Sequence, residues 1–185
     1  AFLHHDSFGV EEEFIETPVK VVRRGGSVKS LRNETNAEVI LMGVIPGKHR
    51  ESLKYKTLAR WDESYSISPG AFLTHLWTFI DDEAEVTPET MQVYIAHYLT
   101  PVTQNSCLYW WSVAINHGQD DDQFFEGLPL FLDKGFSEDV WACASMQNLL
   151  ETDKVDFTEL NIAGDQAGLY FRKIMLDWAK SEYGS

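Results

Sequence analysis

The stretch that decides the fold is residues 91–100, which read MQVYIAHYLT. Side chains along a β-strand point alternately to opposite faces, so every second residue shares a face. One face of this stretch is apolar apart from a single histidine, and it carries Met91, Val93, Ile95, His97 and Leu99. A second strand is predicted at residues 106–116, so the two segments indicate neighbouring strands of a sheet, without showing which face points inward.

The remainder of the first two thirds of the chain also indicates strands. Residues 18–24 and 27–32 flank Gly25 and Gly26, which are a strong signal for a two-residue hairpin. Ser68-Pro69-Gly70 predicts a turn into the strand that follows it. Further strands are predicted at residues 39–45, 53–61 and 71–80.

The last third of the chain changes to a helical period. Residues 120–132 predict a helix that is interrupted near Gly127 and Pro129, and Ser137 is the predicted N-cap of a helix to about residue 150. Asp165 is predicted to cap a final helix. One stripe of that helix has helical spacing and consists of Gly168, Phe171, Met175 and Trp178.

Strands followed by helices predict an α+β fold in a single domain over residues 1–185. In this fold a curved antiparallel sheet surrounds a long C-terminal helix. Hydrophobic residues make up 44% of the chain, which is enough for a buried core and argues against disorder.

Charge and cysteine content exclude several classes of function. A formal net charge of −14 argues against a nucleic acid or an anionic membrane surface as the partner. Because Cys107 and Cys143 are the only cysteines, a disulfide scaffold is excluded, and reduced thiols in the cytoplasm are expected. No apolar run approaches the roughly 20 residues that span a bilayer.

Asp139 is the first candidate for chemistry. It shares a helical face with Cys143, Met146 and Leu150, and the predicted helix is apolar nearly all round, so this face and Cys143 are expected to be buried. A carboxylate buried there is costly unless it is paired or binds a metal ion, and no basic residue stands three or four positions away in the sequence. The alternative is structural: an acidic residue in the first helical turn complements the helix dipole.

His4 and His5 form the second candidate. On a regular helix two adjacent side chains diverge by roughly 100°, so only one of them would face a given metal ion. An exposed pair of histidines near a chain end is the alternative. His75 and His97 are predicted on strands, where each would either point into a pocket or serve as a hydrogen-bonded core residue.

Several motifs together carry a family resemblance. Phe2-Leu3-His4 is similar to the end of an Asp-x-x-His-x-x-x-x-His segment, and Glu138-Asp139 followed by Gln147 is similar to a Glu-Asp-x-x-x-x-Glu-x-x-Gln helix. The run from His97 to Pro101 and the run from Leu108 to Trp111 are similar to a His-x-x-Thr-Pro segment and its aromatic strand. The whole chain thereby resembles the C-terminal catalytic domain of Rieske non-haem iron oxygenase α subunits, in the branch of phthalate dioxygenase and vanillate O-demethylase.

The resemblance implies a helix-grip fold and a mononuclear Fe(II) centre. Asp139 matches the family's third iron ligand and His4 the second iron histidine, with His5 as the alternative because some members space the histidines more closely. The second Glu of the helix motif is Ala144 here, which is a departure from the pattern. The first iron histidine, the bridging Asp and the Rieske domain with its [2Fe-2S] cluster are expected upstream of Ala1.

The implied activity is O2-dependent hydroxylation or oxidative demethylation of an aromatic or similar apolar small molecule. The implied partners are a ferredoxin or reductase as electron donor and further copies of the chain in a homotrimer. Phe79, Tyr94 and Trp111 are candidates for lining the substrate pocket. The alternatives are a non-catalytic carrier of apolar ligands with the same fold, which leaves Asp139 and His4 unexplained, and a pseudo-oxygenase that has lost its iron.

Overall fold

The protein forms a six-stranded antiparallel sheet and two helices in a computed structural model that describes residues 20–24, 27–35, 58–80, 88, 90–152, 159–162 and 165–184. The strands follow one another across the sheet in chain order. They are β1 (Lys20–Arg24), β2 (Ser27–Thr35), β3 (Leu58–Ser68), β4 (Ala71–Ile80), β5 (Met91–Thr103) and β6 (Ser106–Ile115). The helices are α1 (Asp122–Thr152) and α2 (Gln166–Tyr183). The α+β prediction is confirmed.

Each predicted strand that the structure describes is present, but β3 continues to Ser68, beyond the predicted end at residue 61. Arg24 pairs with Ser27, so β1 and β2 form the predicted hairpin, and the strand predicted at residues 71–80 is β4. The strand predicted at residues 39–45, the beginning of the one predicted at 53–61, and His4 and His5 lie outside the described residues.

The turn between β3 and β4 lies very close to β5. The backbone N–H of Leu99 donates to the carbonyl oxygen of Gly70 at 2.8 Å. A Cβ atom added to Gly70 would lie 2.5 Å from the carbonyl oxygen of Leu99, a contact that neither backbone tolerates without moving. Glycine at residue 70 therefore allows the β3–β4 turn to approach the backbone of β5.

Helix α1 is continuous, so the predicted interruption near Gly127 and Pro129 is wrong. The helix begins after Asp121, whose carboxylate accepts a hydrogen bond from the backbone N–H of Phe124 at 3.0 Å. Ser137 lies inside the helix, where its hydroxyl donates to the carbonyl oxygen of Asp133 at 2.7 Å, and it is therefore not an N-cap.

A buried stripe explains why the helix continues through its proline. The side chains at i, i+4, i+8 and i+12 all pack on the sheet, and they are Phe124, Leu128, Leu132 and Phe136. On the sheet side the core is formed by Val93 and Ile95, which are only 3% and 6% exposed. Burial of this stripe outweighs the hydrogen bond that Pro129 cannot make.

Helix α2 packs on the same face of the sheet as α1. The rings of Phe171 and Phe72 meet edge to face at 5.2 Å, and Phe72 is the strand partner of His97. The predicted stripe is half-buried at Phe171, Met175 and Trp178 and exposed at Gly168. Asp165 stands at the N-cap position, but its carboxylate accepts from the backbone N–H of Ile162 and not from α2.

Within the described residues, neither helix combines the length and the apolar character that crossing a membrane requires.

Candidate functional site

A cavity of about 560 Å³ lies between the sheet and the middle of α1. The helix contributes Asp139, Val140 and Cys143 to its wall. The strands contribute mainly apolar and neutral polar groups, among them Phe72, Thr74, His97, Leu99, Cys107 and Tyr109. The cavity therefore has an apolar wall with a few polar groups, which is the usual character of a small-molecule site.

Asp139 reaches this cavity from the interior of α1. Because α1 begins at Asp122, Asp139 lies several turns past the first turn, and the dipole explanation does not apply to it. The expectation that the surrounding helix is buried all round is wrong: Trp141 is 68% and Met146 57% exposed. The apolar stripe of α1 meets the sheet only as far as Phe136, so Asp139 is half-buried at the point where the helix leaves the core.

His97 lies across the cavity from the helix and is held by two neighbouring strands. Its Nδ1 atom is 2.7 Å from the hydroxyl of Tyr109, and its Nε2 atom is 3.5 Å from the hydroxyl of Thr74. The rings of His97 and Phe136 meet edge to face, with the ring centres 5.4 Å apart. Burial lowers the pKa of His97 below its ordinary value of 6.5, and the negative charge of Asp139 offsets part of that effect.

Tyr109 is a neutral hydrogen-bonding group throughout the physiological pH range. Burial, together with the negative charge of Asp139, raises the pKa of Tyr109 to about 12. Asp139 therefore acts electrostatically on both His97 and Tyr109. The Asp139 carboxylate on α1 thus faces, across the cavity, the hydrogen-bonded neutral side chains of His97, Tyr109 and Thr74 on the sheet.

The sequence motifs include His97 and Tyr109, but they do not show that the two residues meet. In the structure Tyr109 is the strand partner of Leu99, and His97 is the partner of Trp111, so both side chains are on the cavity face. Side chains alternate between the two faces of a strand, so the register of β5 with β6 is enough to place His97 and Tyr109 on the same face of the sheet. Thr74 carries no motif, and only the pairing of β4 with β5 places it beside His97.

His75 lies on the opposite face of the sheet. Its ring stacks on Tyr94 at 4.0 Å, and its Nε2 atom is 3.1 Å from the side-chain oxygen of Gln92. Glu63 is buried beside it, with 4.0 Å between the carboxylate oxygen and His75 Nδ1. His75 and Tyr94 are therefore separated from Asp139 by the sheet itself.

The other candidate pocket residues have different outcomes. Trp111 is on the cavity face but packs against Phe136, with ring centres 5.2 Å apart, and it belongs to the core. The side chain of Phe79 lies outside the described part of the chain. Among the described residues, no three His, Cys, Asp or Glu side chains cluster closely enough to hold a metal ion. A metal ion bound at Asp139 would therefore need ligands beyond those that the described residues bring together.

Together, the fold and the cavity define an α+β domain that encloses a small apolar site beside one carboxylate. The chain matches the vanillate O-demethylase oxygenase C-terminal domain family over residues 1–181 and belongs to that family. This match confirms the resemblance drawn from the motifs.

Solved structures show the same fold at low sequence identity. Dicamba monooxygenase bound to 3,6-dichlorosalicylic acid aligns with 100% of this chain at a TM-score of 0.78 and 15% identity. The apo form of that enzyme aligns with 92% of the chain, at a TM-score of 0.70 and 15% identity. Its complex with non-heme iron and dicamba aligns with 97% of the chain, at a TM-score of 0.59 and 16% identity. The chain spans about half of each of these structures, 54%, 52% and 54% respectively. No curated protein sequence matches the chain.

Proposed function

We propose that the chain is the catalytic domain of a terminal oxygenase that hydroxylates or oxidatively demethylates an aromatic or similar apolar small molecule. The observation that carries the proposal is the Asp139 carboxylate on the wall of an apolar cavity, in a chain of the vanillate O-demethylase oxygenase family. Dicamba monooxygenase, which has the same fold, has been solved with non-heme iron and dicamba.

Asp139 and His4 are the proposed iron ligands in this chain, with His5 as the alternative to His4. The donor set suits the metal, because Fe(II) in oxygenases is commonly held by two imidazoles and one carboxylate with open positions. When bound, this iron supplies O2 activation, with electrons from a Rieske [2Fe-2S] cluster elsewhere in the assembly. We further propose a ferredoxin or reductase as the electron donor and a homotrimer as the assembly.

The residues of the cavity have two tasks in this proposal. Phe72, Leu99 and Val140 exclude water and contact the apolar part of the substrate. His97, Tyr109 and Thr74 hold a polar substituent of the substrate by hydrogen bonds, which orients the ring toward Asp139. Since Tyr109 stays protonated and its partner His97 is favoured in the neutral form, the orienting groups carry little charge near neutral pH.

The direct test of the proposal is the iron content of the intact protein. We expect Asp139→Ala to lose iron and O2-dependent turnover while keeping its circular dichroism and melting temperature, because Asp139 lies outside the buried stripe of α1. Asp177→Ala, which changes an exposed carboxylate on α2, is the control and should keep both properties. Stoichiometric iron in Asp139→Ala would refute the assignment. Iron-free wild-type protein that binds apolar ligands would favour the carrier function.

His4 and His5 are distinguished by the same measurement. We expect His4→Ala to abolish iron binding and His5→Ala to spare most of it, because Phe2-Leu3-His4 matches the closing triplet of the family segment. The reverse result would mean that His5 is the iron ligand and that the family segment aligns one residue further along the chain. Equal and small losses from both substitutions would remove the histidines from the proposed site.

A further inference from the structure

The two cysteines of the chain lie on opposite walls of the same opening. Cys107 is on β6 and Cys143 on α1, and both are exposed, reduced thiols, although the sequence predicted a buried Cys143. Both line the cavity that contains Asp139. Both also line an adjoining polar groove of about 780 Å³ between the β5–β6 turn and the second half of α1. The thiols thus mark the boundary between the two spaces.

Two contacts between β6 and its turn and helix α1 flank the thiols, one on either side. Toward the core, the rings of Tyr109 and Phe136 meet at 5.9 Å. Toward the end of α1, the side-chain amide of Asn105 donates to the carboxylate of Glu151 at 2.7 Å. Cys107 is midway between Asn105 and Tyr109 in the sequence.

Cys143 occupies the matching place on the helix. It is nearly midway between Phe136 and Glu151, and it is seven residues, or about two turns, after Phe136. It therefore lies on the helix face that Phe136 presents to β6. The two thiols therefore lie between the same pair of contacts, Cys107 on the strand side and Cys143 on the helix side.

We propose that Cys107 and Cys143 form a site of reversible oxidation that joins β6 to α1. One thiol reduces hydrogen peroxide, becomes a sulfenic acid and releases a water molecule. The second thiol attacks that sulfur, the S–S bond forms, and a second water molecule leaves. One peroxide and two thiols thus yield one disulfide and two waters.

The disulfide would immobilise α1 at the residue four positions beyond Asp139 and narrow the opening between the cavity and the groove. The formation of the bond depends only on the positions of the two thiols. Its effect on substrate entry rests on the proposed function.

The test treats the intact protein with hydrogen peroxide and maps the products by mass spectrometry. We expect a peptide pair containing Cys107 and Cys143, lighter by two hydrogens than the reduced peptides and separated again by dithiothreitol. Cys107→Ser and Cys143→Ser, as matched controls, should give no linked pair and should overoxidise the remaining thiol. Separate oxidation of both cysteines in the wild type, no reaction at either, or a link of either one to a cysteine outside residues 1–185 of the intact protein would overturn the proposal.

Hydrogen–deuterium exchange measures the effect on the helix. We expect the amides of residues 140–152 to exchange more slowly in the oxidised wild type than in the reduced form, and equally in both treatments of Cys107→Ser. Equal exchange in the linked and reduced wild type would show that the bond does not restrain α1. Neither measurement requires iron or turnover, so failure here is distinguishable from failure of the proposed oxygenase activity.

Discussion

At the scale of single residues, His97 couples the cavity to the stability of the fold. Its ring is half-buried between Tyr109, Thr74 and Phe136, and this burial favours the neutral imidazole. In the unfolded chain the same side chain takes up a proton near pH 6.5. The unfolded state therefore binds more protons than the folded state in the window between the lowered pKa and pH 6.5.

We accordingly expect the free energy of unfolding to fall as the pH is lowered from about 7 through 6.5 and toward the lowered pKa of His97. Urea unfolding at a series of pH values measures this. His97→Gln keeps a polar side chain that does not titrate, and it should remove part of the slope in that window. A slope that is identical in the wild type and His97→Gln would contradict the prediction.

At the scale of elements, glycines in a turn and in a helix illustrate opposite constraints. Gly70 lies where the β3–β4 turn touches the backbone of Leu99, and it has no room for a Cβ atom. Gly127 lies inside α1, and a Cβ atom added there would have no neighbour within 4 Å. Alanine at residue 127 would stabilise the fold, because alanine has less conformational freedom than glycine in the unfolded chain. Alanine at residue 70 would instead force the turn to move.

We expect Gly70→Ala to lower the free energy of unfolding by roughly 1–3 kcal/mol, because a backbone contact must be strained or broken. Gly127→Ala should raise it by about 0.5–1 kcal/mol and is the matched control. Both values come from denaturant unfolding monitored by circular dichroism. Equal effects of the two substitutions would show that the close approach at Gly70 is not tight.

At the scale of the whole molecule, the sheet separates two polar clusters that look equivalent in the sequence. His97 is on the face that carries both helices and the cavity, and His75 is on the other face with Glu63 and Tyr94. Of these two strand histidines, only His97 is on the same side of the sheet as Asp139.

We expect residues 1–185 produced alone to bind Fe(II) weakly. The described residues hold no cluster of three metal donors, and the two proposed ligands, Asp139 and His4, do not by themselves complete a set of two imidazoles and one carboxylate. Titration with Fe(II) under anaerobic conditions measures the affinity. Tight one-to-one binding would contradict the prediction and would make His97 the first candidate for an additional ligand.

The sequence by itself determined the local structure wherever one pattern dominated. The alternation from Met91 to Leu99 predicted β5, and Gly25-Gly26 predicted the β1–β2 hairpin, because both signals are confined to a few neighbouring residues. It also led to the family, since the motifs around Asp139 and His97 keep their order and spacing. It failed at Pro129 and Ser137, where local breaker and cap signals were outweighed by burial against strands far away in the chain.

Only the tertiary structure decided which residues meet. The register of β4, β5 and β6 brings Thr74, His97 and Tyr109 together, and the packing of α1 places Asp139 opposite them. Residues so distant along the chain come together only through the pairing of strands and the packing of a helix. A one-residue change of register would turn every side chain of a strand to the other face, and no pattern within a single strand records that choice.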